Sequence, residues 1–193
     1  MAKNNRKQKV VIALGSPRKD GNSAALAEQI ALGAESAGAK VEPLFLHGMN
    51  ISPCQSCWHC WKPDAKGCAI DDDMQTIYPK LLEADAWVIA SPVYWFNMSA
   101  QTKLFIDRLL ALTAYDSNAF AGRRIGIAMC YGDVDVYRSG CINALRSLED
   151  SIRYIKAELI GMVYGSAHEP GEIRKNTALM AEAVELGKKL VAK

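Results

Sequence analysis

The sequence predicts an α/β fold: a doubly wound, five-stranded parallel sheet with helices on both faces. Three observations carry this. Short apolar segments alternate with longer helical ones from residue 10 to the end of the chain, the pattern of strands joined by helical crossovers. The apolar segments are continuous runs, as expected of strands buried on both faces. And 193 residues, 50% of them apolar and 23% charged, suffice for one core but not comfortably for two. We read 1–193 as one domain with a basic tail at 1–9 and a cysteine-rich insertion at 47–73.

Taken in order, 10–16 is an apolar run ending in Gly15 and Ser16, and predicts the first strand. The glycine-bearing loop 15–23 leads into an Ala-rich helix over 24–37, where Ile30 is the only β-branched residue. Gly38 suits its C-terminal stop. A second strand is expected at 40–46. After the polar segment 47–73, a helix is expected over 74–83, with Asp71, Asp72 and Asp73 where the helix dipole favours anions. Strands then follow at 87–91, 124–130 and 159–164, and helices at 99–112, 141–156 and 173–191. Five strands so joined point to the flavodoxin-like sheet order 2-1-3-4-5.

Composition narrows the function classes. A net charge of +2 argues against nucleic acid or a membrane surface as the main partner. Much of the basic excess lies at the two ends, in Lys3, Arg6, Lys7 and Lys9 and in Lys188, Lys189 and Lys193, and reads as solvated tails. The apolar run 10–14 is too short for a secretory signal, and no stretch of about 18 apolar residues predicts a membrane span. A cytoplasmic location is expected, where six cysteines serve metal or redox chemistry rather than a disulfide framework.

In an open α/β sheet a ligand sits beyond the carboxyl ends of the strands, so the loops there come first. Loop 15–23 joins a buried strand to a helix start, where backbone N–H groups favour a phosphate. Ser16, Asn22 and Ser23 add short polar groups and Arg18 a guanidinium fork. The loop matches neither the dinucleotide nor the P-loop spacing, and it equally suits an ordinary capped helix start. Loop 91–99 carries three consecutive aromatics, Tyr94, Trp95 and Phe96. These suit the wall of a flat cofactor ring, or core or subunit-interface filling. The following helix carries Lys103, Asp107 and Arg108; Asp107 and Arg108 read as structural or surface charges rather than catalytic ones. In the third loop Tyr131, Gly132 and Asp133 reach the same edge, with Gly132 permitting close backbone approach; a plain turn fits as well.

Cys54, Cys57, Cys60 and Cys68 form C-x2-C-x2-C-x7-C. Three thiolates at two-residue spacing can bind three irons of one cubane, and the fourth can close it. Pro63 and Gly67 allow the chain to turn back before Cys68. A structural zinc prefers two separated knuckles, and a redox dithiol needs only two of the four; both readings stay open. Cys130 and Cys141 read as ordinary buried thiols. No Ser/His/Asp arrangement is visible, and His47, His59 and His168 read as surface or packing residues.

Gly-Ser-Pro-Arg (15–18) with Gly-Asn-Ser (21–23), the cysteine segment ending Asp-Asp-Met (72–74), Ser-Pro-Val-Tyr-Trp (91–95) and Ser-Ala-Gln-x-Lys-x-Phe-x-Asp-Arg (99–108) occur in this order. Together they resemble the NAD(P)H-dependent FMN reductase family and, within it, the iron–sulfur flavoprotein branch, over about residues 10–165. The resemblance implies an FMN-dependent oxidoreductase with no catalytic side chain of its own, since the flavin carries the chemistry. It implies phosphate contacts at Ser16, Arg18, Asn22 and Ser23. Ring contacts are implied at Pro92, Val93, Tyr94, Trp95 and Asn97, and further contacts at Tyr131, Gly132 and Asp133, where the loop departs from the family's glycine-rich form. It implies a 4Fe–4S cluster on Cys54, Cys57, Cys60 and Cys68, near the FMN. Electrons would pass from NAD(P)H or a protein carrier to a quinone, flavin or other acceptor. It also implies a homodimer or homotetramer, to which exposed aromatics around the cleft would contribute. The alternative is a non-catalytic flavodoxin-like electron carrier.

Overall fold

A computed structural model describes residues 6–192. The sheet contains β1 (Lys9–Leu14), β2 (Lys40–Phe45), β3 (Ala86–Tyr94), β5 (Arg124–Tyr131) and β6 (Glu158–Ser166), all parallel, in the order β2-β1-β3-β5-β6. This is the expected five-strand order. The sixth strand, β4 (Asn97–Met98), pairs antiparallel with the end of β3 and was not expected from the sequence. Two residues are too few to leave a periodicity signal.

Side chains alternate across β1. Val10 and Ile12 enter one core with Val88, Ala90 and Ala128, under α1 (Asn22–Ser36) and α5 (Thr177–Val191). Val11 and Ala13 enter the other with Trp87, Ile89 and Ile127, under α2 (Met74–Glu83), α3 (Ala100–Arg108) and α4 (Cys141–Tyr154). Two helical layers over a parallel sheet explain why the strands read as unbroken apolar runs.

The first layer closes where α1 and α5 cross at two glycines. A Cβ on Gly33 would lie 2.0 Å from Val184 O, and one on Gly187 2.0 Å from Ile30 O. Gly38 ends α1 with φ +92°, as expected of a C-terminal stop. The helix expected over 99–112 ends at Arg108 and tightens into a 3-10 segment, Leu109–Ala114. The helix expected over 173–191 begins at Thr177, because Asn176 accepts from Leu179 N–H and caps it there.

Of the terminal basic residues, Lys7 and Lys189 are exposed as expected, whereas three others form surface ion pairs. Arg6 makes a two-pronged pair with Asp85 at 2.9 and 2.7 Å, Lys9 opens β1 and pairs with Glu83, and Lys188 pairs with Glu185. Residues 1–5, including Lys3, and residue 193 lie outside the described residues. No described helix is long and apolar enough to cross a membrane.

Candidate functional site

Parallel pairing brings the carboxyl ends of β1, β3 and β5 to one edge. The three predicted loops therefore meet. The first two are tied together by buried groups. Gly15 N–H donates to Ala90 O at 2.8 Å, and Ser99 Oγ donates to Gly15 O at 2.7 Å. Ser91 Oγ accepts from Ser99 N–H at 3.0 Å, and Ser99 Oγ accepts from Thr102 N–H at 3.3 Å, capping α3. A Cβ on Gly15 would lie 1.8 Å from Thr102 Oγ1. Sequence reading did not single out Gly15, Ser91, Ser99 and Thr102 as this lock. A serine at the N-cap position before a helix was its visible trace.

Loop 15–23 ends at Gly21, the residue before α1, so no side chain caps that helix. A Cβ at Gly21 would lie 3.1 Å from Ser16 Oγ and 3.2 Å from Arg18 O. The tight turn thus leaves first-turn N–H groups of α1 facing the loop, a cradle suited to an anion. Ser16 and Ser23 are buried beside it, and Arg18 is exposed at its rim. Asn22 differs from the expectation in its side chain. Its Nδ2 donates to Glu169 O at 3.0 Å and its Oδ1 accepts from Ile173 N–H at 3.2 Å. That amide ties the loop after β6 to α1, which leaves the backbone of Asn22 as the group facing the cradle.

Loop 91–99 is a hairpin. Tyr94 pairs with Asn97, and the two residues between them, Trp95 and Phe96, both have positive φ, +49° and +65°. This is the backbone of a I′ turn, where Asn-Gly is usual. Two aromatics there cost about 1 kcal/mol each or more, and the turn leaves Trp95 93% exposed. Its tip rests on α4: Asn143 Nδ2 donates to Phe96 O at 3.3 Å, and Gly140 lies against Phe96 where a Cβ would come within 2.5 Å. Pro92 and Val93 are half-buried beneath it; Tyr94 and Asn97 are exposed, with Asn97 Oδ1 accepting from Met98 N–H.

In the third loop Tyr131 is half-buried and Gly132 exposed, and Asp133 O accepts from Ser166 Oγ at 2.6 Å. A Cβ on Gly132 would meet only His168, at 3.5 Å, so the fold itself does not require glycine there. Cys130 and Cys141 are buried thiols, each pushed up to about 12 by burial.

The four motif cysteines line one cavity of about 160 Å³ against the C-terminal end of α3. Ser56 and Trp58, on either side of Cys57, have φ +51° and +58°, and Gly67, with φ +131°, turns the chain back before Cys68. Left-handed residues interspersed along a loop create the concave backbone that surrounds anionic groups such as iron–sulfur centres. Burial pushes the Cys60 thiol up, and the neighbouring Cys68, Cys57 and Cys54 push it the same way. Trp58 and Trp61 meet edge to face at 5.2 Å over this segment. Among the described residues no three His, Cys, Asp or Glu side chains converge on one point as a single metal ion requires. A cubane makes no such demand, because each thiolate holds a different iron. The cavity touches Arg108, whereas the first two strand-end loops meet α3 at its other end. Eight residues of helix, about 12 Å, separate them along the axis.

Arg108, expected to be a structural or surface charge, is 2% exposed. Its Nη1 donates to Asp72 Oδ2 at 2.5 Å and Ser52 O at 2.8 Å; its Nη2 donates to Asp72 Oδ1 at 3.1 Å and Cys68 Sγ at 3.3 Å. Burial alone would raise the Asp72 carboxyl, but the Arg108 guanidinium and the N–H groups of Ser52 and Met74 hold it below the usual carboxylate value. Lys103 and Asp107 form an exposed pair one turn apart.

Residues 8–171 match the family model for NADPH-dependent FMN reductase. The chain belongs to this family. An iron–sulfur flavoprotein of Archaeoglobus fulgidus is 39% identical over 118 residues, 61% of this chain and 58% of that protein. One of Methanocaldococcus jannaschii is 33% identical over 152 residues, 79% of this chain and 73% of that protein. Within the reductase family, the chain thus falls with the iron–sulfur flavoprotein branch. It spans about half the length of several relatives it matches, between 46% and 60% for three of them. An NAD(P)H:quinone oxidoreductase from Methanothermobacter marburgensis shares the fold, with a TM-score of 0.73 over 97% of this chain and 99% of that one at 17% identity.

One further cavity stands apart from this site. At about 510 Å³ and lined by Trp87, Phe120, Ile125, Leu148 and Ile152, it sits toward the amino ends of β3 and β5, away from the three loops.

Proposed function

We propose that the chain is an FMN-dependent oxidoreductase, taking electrons from NAD(P)H or a protein carrier and passing them to a quinone, a flavin or another acceptor. The observation that carries this reading is the lock of Gly15, Ser91, Ser99 and Thr102. It holds an anion cradle and an aromatic hairpin at fixed separation on the strand-end edge. The α1 N–H groups, with Ser16, Ser23 and Arg18, would hold the phosphate. Pro92, Val93, Tyr94, Trp95 and Asn97 would border the ring, with Tyr131, Gly132 and Asp133 opposite. Bound FMN supplies hydride and single-electron transfer; the protein's part is to fix the ring and limit its access to water.

FMN should therefore bind more tightly than riboflavin, which lacks the phosphate, and Arg18→Ala should cost about 1.5 kcal/mol, roughly tenfold in Kd. Titration by flavin fluorescence checks both, and equal affinities for FMN and riboflavin would refute the cradle. Steady NAD(P)H oxidation by the FMN-loaded protein is expected; none at all with FMN bound would leave an electron carrier.

The cysteine cavity suits a 4Fe–4S cluster relaying single electrons. Four thiols border one space, and left-handed residues curve the backbone around it. Anaerobic reconstitution should give about four irons per chain and a broad visible band, both lost in Cys57→Ser. One zinc per chain would instead show a metal staple.

A further inference from the structure

We propose that Arg108 is a positioning residue for the cysteine-bound cluster: its Nη2–H bond to Cys68 Sγ raises the cluster's reduction potential. This rests on the cluster reading above and goes beyond it to a residue outside the cysteine motif.

The geometry is closed. The two Nη atoms of an arginine carry four hydrogens, and each has one acceptor: Ser52 O, the two oxygens of Asp72, and Cys68 Sγ at 3.3 Å. Asp72 is itself fixed, accepting from Ser52 N–H at 2.9 Å and Met74 N–H at 3.0 Å. The backbone of Cys68 is held by Gln75 Nε2, which donates to its carbonyl at 3.0 Å. The fork therefore cannot rotate away from the sulfur. Arg108 also borders the cysteine cavity, and its Nε is buried without an acceptor among the described residues.

Asp72 balances the guanidinium charge, so the directed N–H is what distinguishes this arginine from any nearby cation. Donation to a thiolate sulfur withdraws electron density from the iron–sulfur bond. The reduced cluster, one electron more negative, is stabilised, and the potential rises. Lysine retains the charge but has no fork with which to serve Asp72, Ser52 and Cys68 together.

The test compares reconstituted wild type with Arg108→Lys. Iron analysis comes first, then anaerobic redox titration followed by electron paramagnetic resonance of the reduced cluster. The expected result is four irons in both proteins and a lower potential in the variant. The shift should be about tenfold in the oxidised-to-reduced equilibrium, about 59 mV for one electron. A second measurement needs no variant. Wild type grown with guanidino-15N arginine should show a 15N coupling to the reduced cluster by pulsed resonance. Four irons with unchanged potential, or no 15N coupling, would overturn the role of Arg108 while leaving the cluster in place. No iron uptake by wild type would overturn the cluster reading itself, and this proposal with it.

Discussion

Gly15→Ala should cost the protein about 1–3 kcal/mol of stability and lower FMN affinity at least tenfold. The new methyl would stand 1.8 Å from Thr102 Oγ1 and 3.1 Å from Thr102 Cβ. Thr102 cannot yield, because it is 1% exposed in the first turn of α3 and bonded to Ser99. Loop 15–23 must therefore lift, breaking the Ser99 Oγ bond to Gly15 O and carrying Ser16 away from the cradle. Gly15 has no positive φ, so the penalty comes from contact rather than backbone strain. Thr102→Ala placed in the same chain should recover part of both losses. Urea unfolding and flavin titration measure them; an unchanged Kd in the single variant would show that the lock does not set the site.

Asp72→Ala should be the most destabilising single change at the cysteine segment, about 3–5 kcal/mol. Both side chains of the Asp72–Arg108 pair are 1% exposed, so alanine strands a buried guanidinium. It also frees the N–H groups of Ser52 and Met74, so the two ends of the insertion lose their clasp. The pair predicts a pH dependence as well. The folded carboxyl lies below its ordinary value of 3.8. Its contribution is therefore complete above that value and is lost as pH falls toward the folded one. Wild type should lose this stability in acid, whereas the variant should show a flatter profile there. A loss under 1 kcal/mol at neutral pH, read from urea midpoints, would mean that the clasp relaxes without cost.

How much of the site could be read in advance varies from loop to loop. Loop 15–23 was legible because a strand ending in Gly-Ser and a helix starting after Gly-Asn-Ser leave their marks in neighbouring residues. Local pattern did not show the partners of Asn22: a side chain that can cap a helix locally bonds to Glu169 and Ile173, far along the chain. The aromatic run 94–96 was visible, but not its I′ turn, since Trp and Phe are poor residues for left-handed backbone. Asn143 and Gly140 hold that turn from α4. Arg108 was legible as a charge and illegible as a buried one, because its partners Ser52, Cys68 and Asp72 stand 56, 40 and 36 positions away.

The alternation of strands and helices, the five-strand order, the edge where three loops gather and the spacing of four cysteines could all be read from the residues alone. These are properties of local pattern and of chain connectivity, and parallel crossovers admit few arrangements. Which groups meet depends on the folded packing. Gly15 lies under Thr102, Gly33 and Gly187 let α1 touch α5, and Arg108 reaches across to Cys68. Such contacts depend on where two elements distant in sequence come to rest. The gaps between them are set to within an ångström by the packing of the whole core.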